Sequence, residues 1–206
     1  MNNFEGMEIP KFIRSLGSRD ISISLEHPLM PCVPYLNSNN LQGGLLDAFQ
    51  NFTSLQLLYL SKNSNIEGEF PRTLGNLCYL RTLILSVNKL SGEITEFLDG
   101  LSACSYSTLE NLDLGFNKLT GNLPDSLGHL KNLRYLQLWN YTSRRIKWVI
   151  PNSLGQLSSL VVQELNENSW EGVITEAQFA NLSSLKQLSV TKNKQLRATY
   201  ADLLVK

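Results

Sequence analysis

The chain has 206 residues, among them 39 leucines and 20 asparagines, and its 18 Lys and Arg cancel its 18 Asp and Glu. A neutral balance leaves no electrostatic footprint for a nucleic-acid backbone or an anionic membrane surface. No stretch of about 18 apolar residues is available to cross a bilayer, because Arg81, Asp113 or Gln137 interrupts the longest apolar runs.

An excess of two residue types in an otherwise ordinary composition points to repetition. In chain order, Asn2-Asn3-Phe4-Glu5-Gly6 followed by Ile9-Pro10 reads as the back half of a repeat, so residues 1–17 are expected to form a partial coil. That start has neither a basic leader nor an apolar core of signal-peptide length. Residues 18–35 lack the leucine spacing, and Pro31 and Pro34 stand where the next coil places its leucines. Proline cannot donate to a strand ladder, so this segment is expected to be irregular.

From 36 to 196 the pattern L-x-x-L-x-L-x-x-N-x-L-x-G recurs in about six coils. The clearest copy is Leu109, Leu112, Leu114, Asn117, Leu119 and Gly121, after which Leu133 begins the next copy 24 residues on. Leu80, Leu83, Leu85, Asn88, Leu90 and Gly92 keep the same offsets, and Leu55, Leu58, Leu60, Asn63, Ile66 and Gly68 keep them with one residue added. A coil beginning at Leu133 carries Asn140 to Arg145 in place of its Asn-x-Leu-x-Gly, which reads as a junction-like insertion at 139–147. A later copy puts Gln163 where a buried leucine belongs, and Leu185, Leu188, Val190, Asn193 and Leu196 form a last incomplete one. Residues 197–206 are a tail.

Each offset has a mechanical reason. The alternation x-x-L-x-L makes a short strand with leucines on one face. The asparagine follows where the chain turns, and its amide satisfies backbone groups inside the coil. The glycine four residues later permits a tight return, and an apolar-Pro step with Leu-Gly-x-Leu predicts an extended stretch, then a short 3-10 or helical turn. No coil buries its leucine face alone, so stability comes from neighbours. The fold class is an α/β repeat: a solenoid with short parallel strands on its concave face.

L-x-G-x-[ILF]-P followed by x-x-L-G-x-L resembles the plant extracellular leucine-rich repeat. Ser38-Asn39-Asn40-Leu41-Gln42-Gly43, Leu112-Asp113-Leu114-Gly115-Phe116-Asn117 and Ser126-Leu127-Gly128-His129-Leu130 look like ectodomains of plant receptor-like proteins of the xylanase-elicitor-receptor group. The resemblance covers 35–196, with a partial match at 2–17. It implies a right-handed solenoid, a protein or peptide ligand, a co-receptor kinase as partner, and a role in pathogen perception at the extracellular face of the plasma membrane. The terminal cap, membrane helix and kinase elements of full receptors do not appear in these residues, so a truncated ectodomain fragment is expected. Two further readings stay open: a secreted inhibitor of microbial hydrolases, and a non-functional truncated gene product.

The variable strand positions carry the candidate ligand-binding residues Tyr59, Asp113, Phe116, Tyr135, Gln137 and Trp139, the aromatics because exposed rings anchor interfaces. Three N-x-[ST] sequons, at Asn51, Asn140 and Asn181, are glycan acceptors in a secreted chain. Cys78 and Cys104 both lie shortly before the next coil, where stacking allows a disulfide; the alternative is two buried small hydrophobes. His27 and His129 are the only histidines, and no phosphate loop, H-E-x-x-H or triad is present. No catalysis, cofactor or metal is expected.

Overall fold

The computed structural model describes residues 36–45, 49, 52–139, 148–168, 170–179, 181–193 and 195–198. The expected partial coil at 1–17, the irregular segment at 18–35, the insertion at 139–147 except Trp139, the end of the tail and the sequons at Asn51 and Asn140 lie outside these residues.

The x-x-L-x-L alternation folds into six strands, Leu57–Tyr59, Thr82–Ile84, Asn111–Asp113, Tyr135–Gln137, Val162–Glu164 and Gln187–Ser189. They are hydrogen-bonded side by side in that order, all parallel. Their register aligns Leu58, Leu83, Leu112, Leu136, Gln163 and Leu188 in a single inward row. The four leucines from Leu58 to Leu136 are fully buried, within one continuous core that runs from Leu36 to Leu182. Full burial of such a side chain contributes about 1.5–3 kcal/mol.

The turn after each strand is built on its asparagine. Asn63 Oδ1 accepts from the backbone N–H groups of Asn39 and Leu41, while its Nδ2 donates to the carbonyls of Leu36 and Leu60. Asn88 Oδ1 accepts from Asn63 N, and its Nδ2 donates to Leu60 and Leu85. Asn117 Nδ2 donates to Leu85 and Leu114, so the carbonyls of Leu60 and Leu85 each hold two asparagine donors. Asn168 and Asn193 repeat the arrangement, with Asn168 reaching back to Leu138 O. The residue preceding each of these asparagines, namely Lys62, Val87, Phe116, Glu167 and Lys192, has φ between +52° and +60°. Sequence pattern alone does not mark that left-handed position, because the side chains there follow no single type.

Two features depart from expectation. The Asn-x-Leu-x-Gly stretches are not merely extended: Gln42–Gly43, Asn65–Glu69, Lys89–Glu93 and Lys118–Thr120 pair as a second parallel sheet, and Trp148–Val149, Trp170–Ile174 and Gln195–Ala198 as a third. Stacked copies of one extended segment satisfy each other's backbone groups, which accounts for the pairing. Coil length also varies around 24: the register matches Thr82 with Asn111, 29 residues later, and Tyr135 with Val162, 27 later.

The longer of these coils carries an α-helix, α1 (Thr95–Ala103), with Phe97, Leu98 and Leu101 buried. Four other coils make 3-10 turns: Arg72–Asn76, Asp125–His129 and Asn152–Gln156, each entered from a proline, Pro71, Pro124 or Pro151, and Glu176–Gln178, entered from Thr175. The glycine of each Leu-Gly-x-Leu is required by closeness rather than by φ. A Cβ at Gly75 would sit 2.7 Å from Phe97 O, and one at Gly128 2.6 Å from Ser153 O. Cys78, just past the first 3-10 turn, and Cys104, at the end of α1, are joined by a disulfide with Cα atoms 5.6 Å apart.

Two predictions follow from this packing. Gln163 is fully buried in the leucine row and neither of its amide atoms has a hydrogen-bond partner. Gln163→Leu is therefore expected to stabilise the fold by about 2 kcal/mol, read as a higher urea midpoint at unchanged slope; a lower midpoint would contradict the unpaired amide. Reduction of Cys78–Cys104, which are 26 residues apart in sequence, is expected to lower unfolding free energy by about 3 kcal/mol. Equal urea midpoints with and without reductant would show that the bridge does not constrain the chain.

Candidate ligand-binding face

Outward of the six-stranded sheet the register makes two rows. One is Leu57, Thr82, Asn111, Tyr135, Val162 and Gln187; the other is Tyr59, Ile84, Asp113, Gln137, Glu164 and Ser189. Strand-end positions beyond them add Phe116 and Trp139. Not every variable position is displayed: Ser61, Thr82 and Ser86 are buried, because the short side chains sit between coils and the two serines hydrogen-bond to the neighbouring coil.

The structure gathers Asp113, Phe116, Tyr135, Gln137 and Trp139 on two adjacent coils. The rings of Phe116 and Trp139 meet edge to face, with centroids 4.0 Å apart. Gly115 makes this possible, since a Cβ there would lie 2.7 Å from Trp139 Nε1. The indole thus rests against bare backbone. The Arg134 guanidinium stands 5.9 Å from the Tyr135 ring centroid, within cation–π range. Tyr59 is half-buried in the same row as Asp113 but two strands away, roughly 10 Å along the sheet, so it does not join the cluster.

Beside the aromatics runs a line of polar groups. Asp113 accepts from Ser86 Oγ at 2.6 Å and from Gly115 N at 3.0 Å. Burial raises its pKa above the ordinary 3.8; the two hydrogen bonds oppose that rise, and the charge of Glu164 adds to it. Glu164 in turn accepts from Gln137 Nε2 and Gln187 Nε2, each at 2.9 Å. Sequence reasoning misses Gln187 because its coil breaks the pattern soon afterwards; the signal is its position 25 residues beyond Val162 in the same register.

Asn181 is exposed on the connection between the 3-10 turn Glu176–Gln178 and the strand Gln187–Ser189. Among the described residues no group of three His, Cys, Asp or Glu side chains is placed to hold a metal ion, and no helix is long and apolar enough to cross a membrane.

A ladder of parallel strands, one per coil and each followed by an inward asparagine, defines a leucine-rich-repeat protein, and the Leucine Rich Repeat family matches residues 108–130. Receptor-like protein 35 of Arabidopsis thaliana is 37% identical over 149 residues, 72% of this chain and 15% of that protein. The chain therefore spans only a small part of the relatives it matches. Among solved structures, the plant peptide hormone receptor RGFR1 in complex with RGF2 superposes with a TM-score of 0.69 at 36% identity, over 78% of this chain and 24% of the receptor. The Arabidopsis receptor kinase HAESA, in complex with the peptide hormone IDA and the co-receptor SERK1, gives 0.64 at 32% identity over 77% and 27%. Over this stretch the chain is similar to the plant receptor-like proteins and to the leucine-rich-repeat ectodomains of plant receptor kinases.

The raised pKa of Asp113 has a measurable consequence. A carboxyl that binds its proton more tightly when folded contributes stability that is complete below its ordinary value and lost as pH rises through the raised one. Asp113→Asn does not ionise, so its stability relative to the parent chain is expected to improve between pH values below about 3.8 and neutrality. Urea titrations of both chains across that range check this; a constant difference would mean that the carboxylate is as well solvated folded as unfolded.

Proposed function

We propose that this chain forms part of the recognition surface of a cell-surface receptor-like protein, and that the outward rows of its six-stranded sheet bind a peptide or protein ligand. The observation that carries this reading is the packed Phe116–Trp139 pair, set against Gly115 and flanked by Tyr135, Asp113 and Gln137 on two adjacent coils. Half-buried rings held by a rigid ladder lose little side-chain entropy on binding, which suits them to anchor a partner. The acidic pair Asp113 and Glu164 favours a ligand with amide or cationic donors beside an apolar group.

On this reading the protein stands on the extracellular face of the plasma membrane, perceives a pathogen-derived elicitor and signals through a co-receptor kinase; the HAESA complex with a peptide hormone and the co-receptor SERK1 supports the peptide ligand and the co-receptor. Glycans at Asn51, Asn140 and Asn181 suit that compartment. The role is binding, and in it Asp113 and Glu164 serve the hydrogen-bonded outward rows.

Selection of random peptides displayed on yeast against the folded chain tests the site. Peptides recovered this way are expected to lose about tenfold or more in affinity for Trp139→Ala and Phe116→Ala, with circular dichroism confirming that both variants stay folded. Ligands that bind these variants as well as the parent chain would place recognition elsewhere.

A further inference from the structure

The flank where the chain enters the six strands holds a second column of side chains, set by a bifurcated backbone ladder. Gln56 O accepts from Arg81 N and Thr82 N, Arg81 O from Glu110 N and Asn111 N, and Glu110 O from Arg134 N and Tyr135 N. Arg134 O then accepts from Val161 N and Val162 N, and Val161 O from Lys186 N and Gln187 N. Gln56, Arg81, Glu110, Arg134, Val161 and Lys186 therefore follow one another at a single coil's spacing, roughly 4.8 Å.

Charge along this column is unevenly compensated. Arg81 grips Glu110 Oε1 through Nε at 3.1 Å and Nη2 at 2.6 Å, which neutralises both. Arg134 and Lys186 are exposed, and neither makes an ion pair among the described residues. Between these groups lies an open groove of about 440 Å³, lined by Arg81, Glu110, Asn132, Arg134, Ser159 and Ser184. Asn132 spends its Nδ2 on Ser107 O at 2.8 Å, which orients its amide and leaves Oδ1 as an acceptor. Ser159 and Ser184 supply short hydroxyls that keep the groove open.

We propose that this groove is a second binding site, separate from the aromatic face, for an acidic peptide segment: a ligand carboxylate pairs with Arg134 while Asn132, Ser159 and Ser184 meet its main-chain groups. The chemistry follows from the residues. A guanidinium held over Tyr135 presents a fork that matches a carboxylate in two parallel hydrogen bonds, and Lys186 extends the positive field to the following coil. Because Glu110 is already held by Arg81, it does not cancel Arg134. The proposal stands independently of any ligand on the Phe116–Trp139 surface.

Fluorescence anisotropy of the full chain with a fluorescein-labelled hexapeptide of alternating Glu and Ser, and with its Lys–Ser counterpart, tests it. At low salt the acidic peptide is expected to bind and the basic one not to. Arg134→Glu is expected to weaken the acidic peptide by about tenfold or more and to admit the basic one. Ser159→Trp fills the groove without altering charge and is expected to block the acidic peptide as well, while Trp139→Ala leaves binding unchanged. The proposal is overturned if the acidic peptide fails to bind at low salt, if Arg134→Glu and Ser159→Trp bind it like the parent chain, or if Trp139→Ala weakens it as much as they do.

Discussion

The asparagine ladder is the interaction on which the rest depends. Each coil must turn sharply at the end of its strand, and turning points backbone N–H and C=O groups into an interior packed with leucine, where an unpaired group costs about 1–3 kcal/mol. Asn63, Asn88 and Asn117 place their amides in that interior and bridge neighbouring coils, so that the carbonyls of Leu60 and Leu85 are each shared by two side chains. A hydrophobic stack by itself is free to slide, because one leucine packs on another in many ways. The directional amide contacts fix the register, and that register lines up the outward rows.

From this register the surface acquires its order. Residues some 25 positions apart become neighbours at strand spacing, and side chains with no sequence proximity, such as Gln137, Glu164 and Gln187, meet as hydrogen-bonded partners. The same spacing serves the flank, where Arg81, Glu110 and Arg134 follow one another as a column. The outward surface of such a molecule is organised in columns rather than in loops, and the disulfide between Cys78 and Cys104 holds two of the stacked coils together beside α1.

Much of this was legible in the sequence, because leucine, asparagine and proline have roles that follow from their chemistry at fixed offsets. The inward row and the amide ladder could be assigned residue by residue, down to Gln163 as an intruder among leucines. What escaped depends on neighbours. The pairing of the Asn-x-Leu-x-Gly stretches into further sheets needs the coil above as well as the segment itself, and burial of Ser61, Thr82 and Ser86 needs the side chains beside them. The meeting of Phe116 with Trp139 was hidden for the same reason: both lie at outward positions, but only the bare backbone of Gly115 lets the indole settle against it. Tyr59 shows the converse, since it shares the row of Asp113 and yet stands apart from the cluster.

The left-handed backbone just before each ladder asparagine has a consequence for the side chains such a surface displays. Phe116 occupies this position with φ at +52°, as do Lys62, Val87, Glu167 and Lys192 in their own coils. A side chain other than glycine or asparagine is strained in this geometry, a branched one such as Val87 most of all. The column is thus open to almost any side-chain chemistry, and each choice other than glycine or asparagine there costs some coil stability. At Phe116 the strained backbone turns the ring onto Trp139, so the same position that costs the coil stability also builds the aromatic pair.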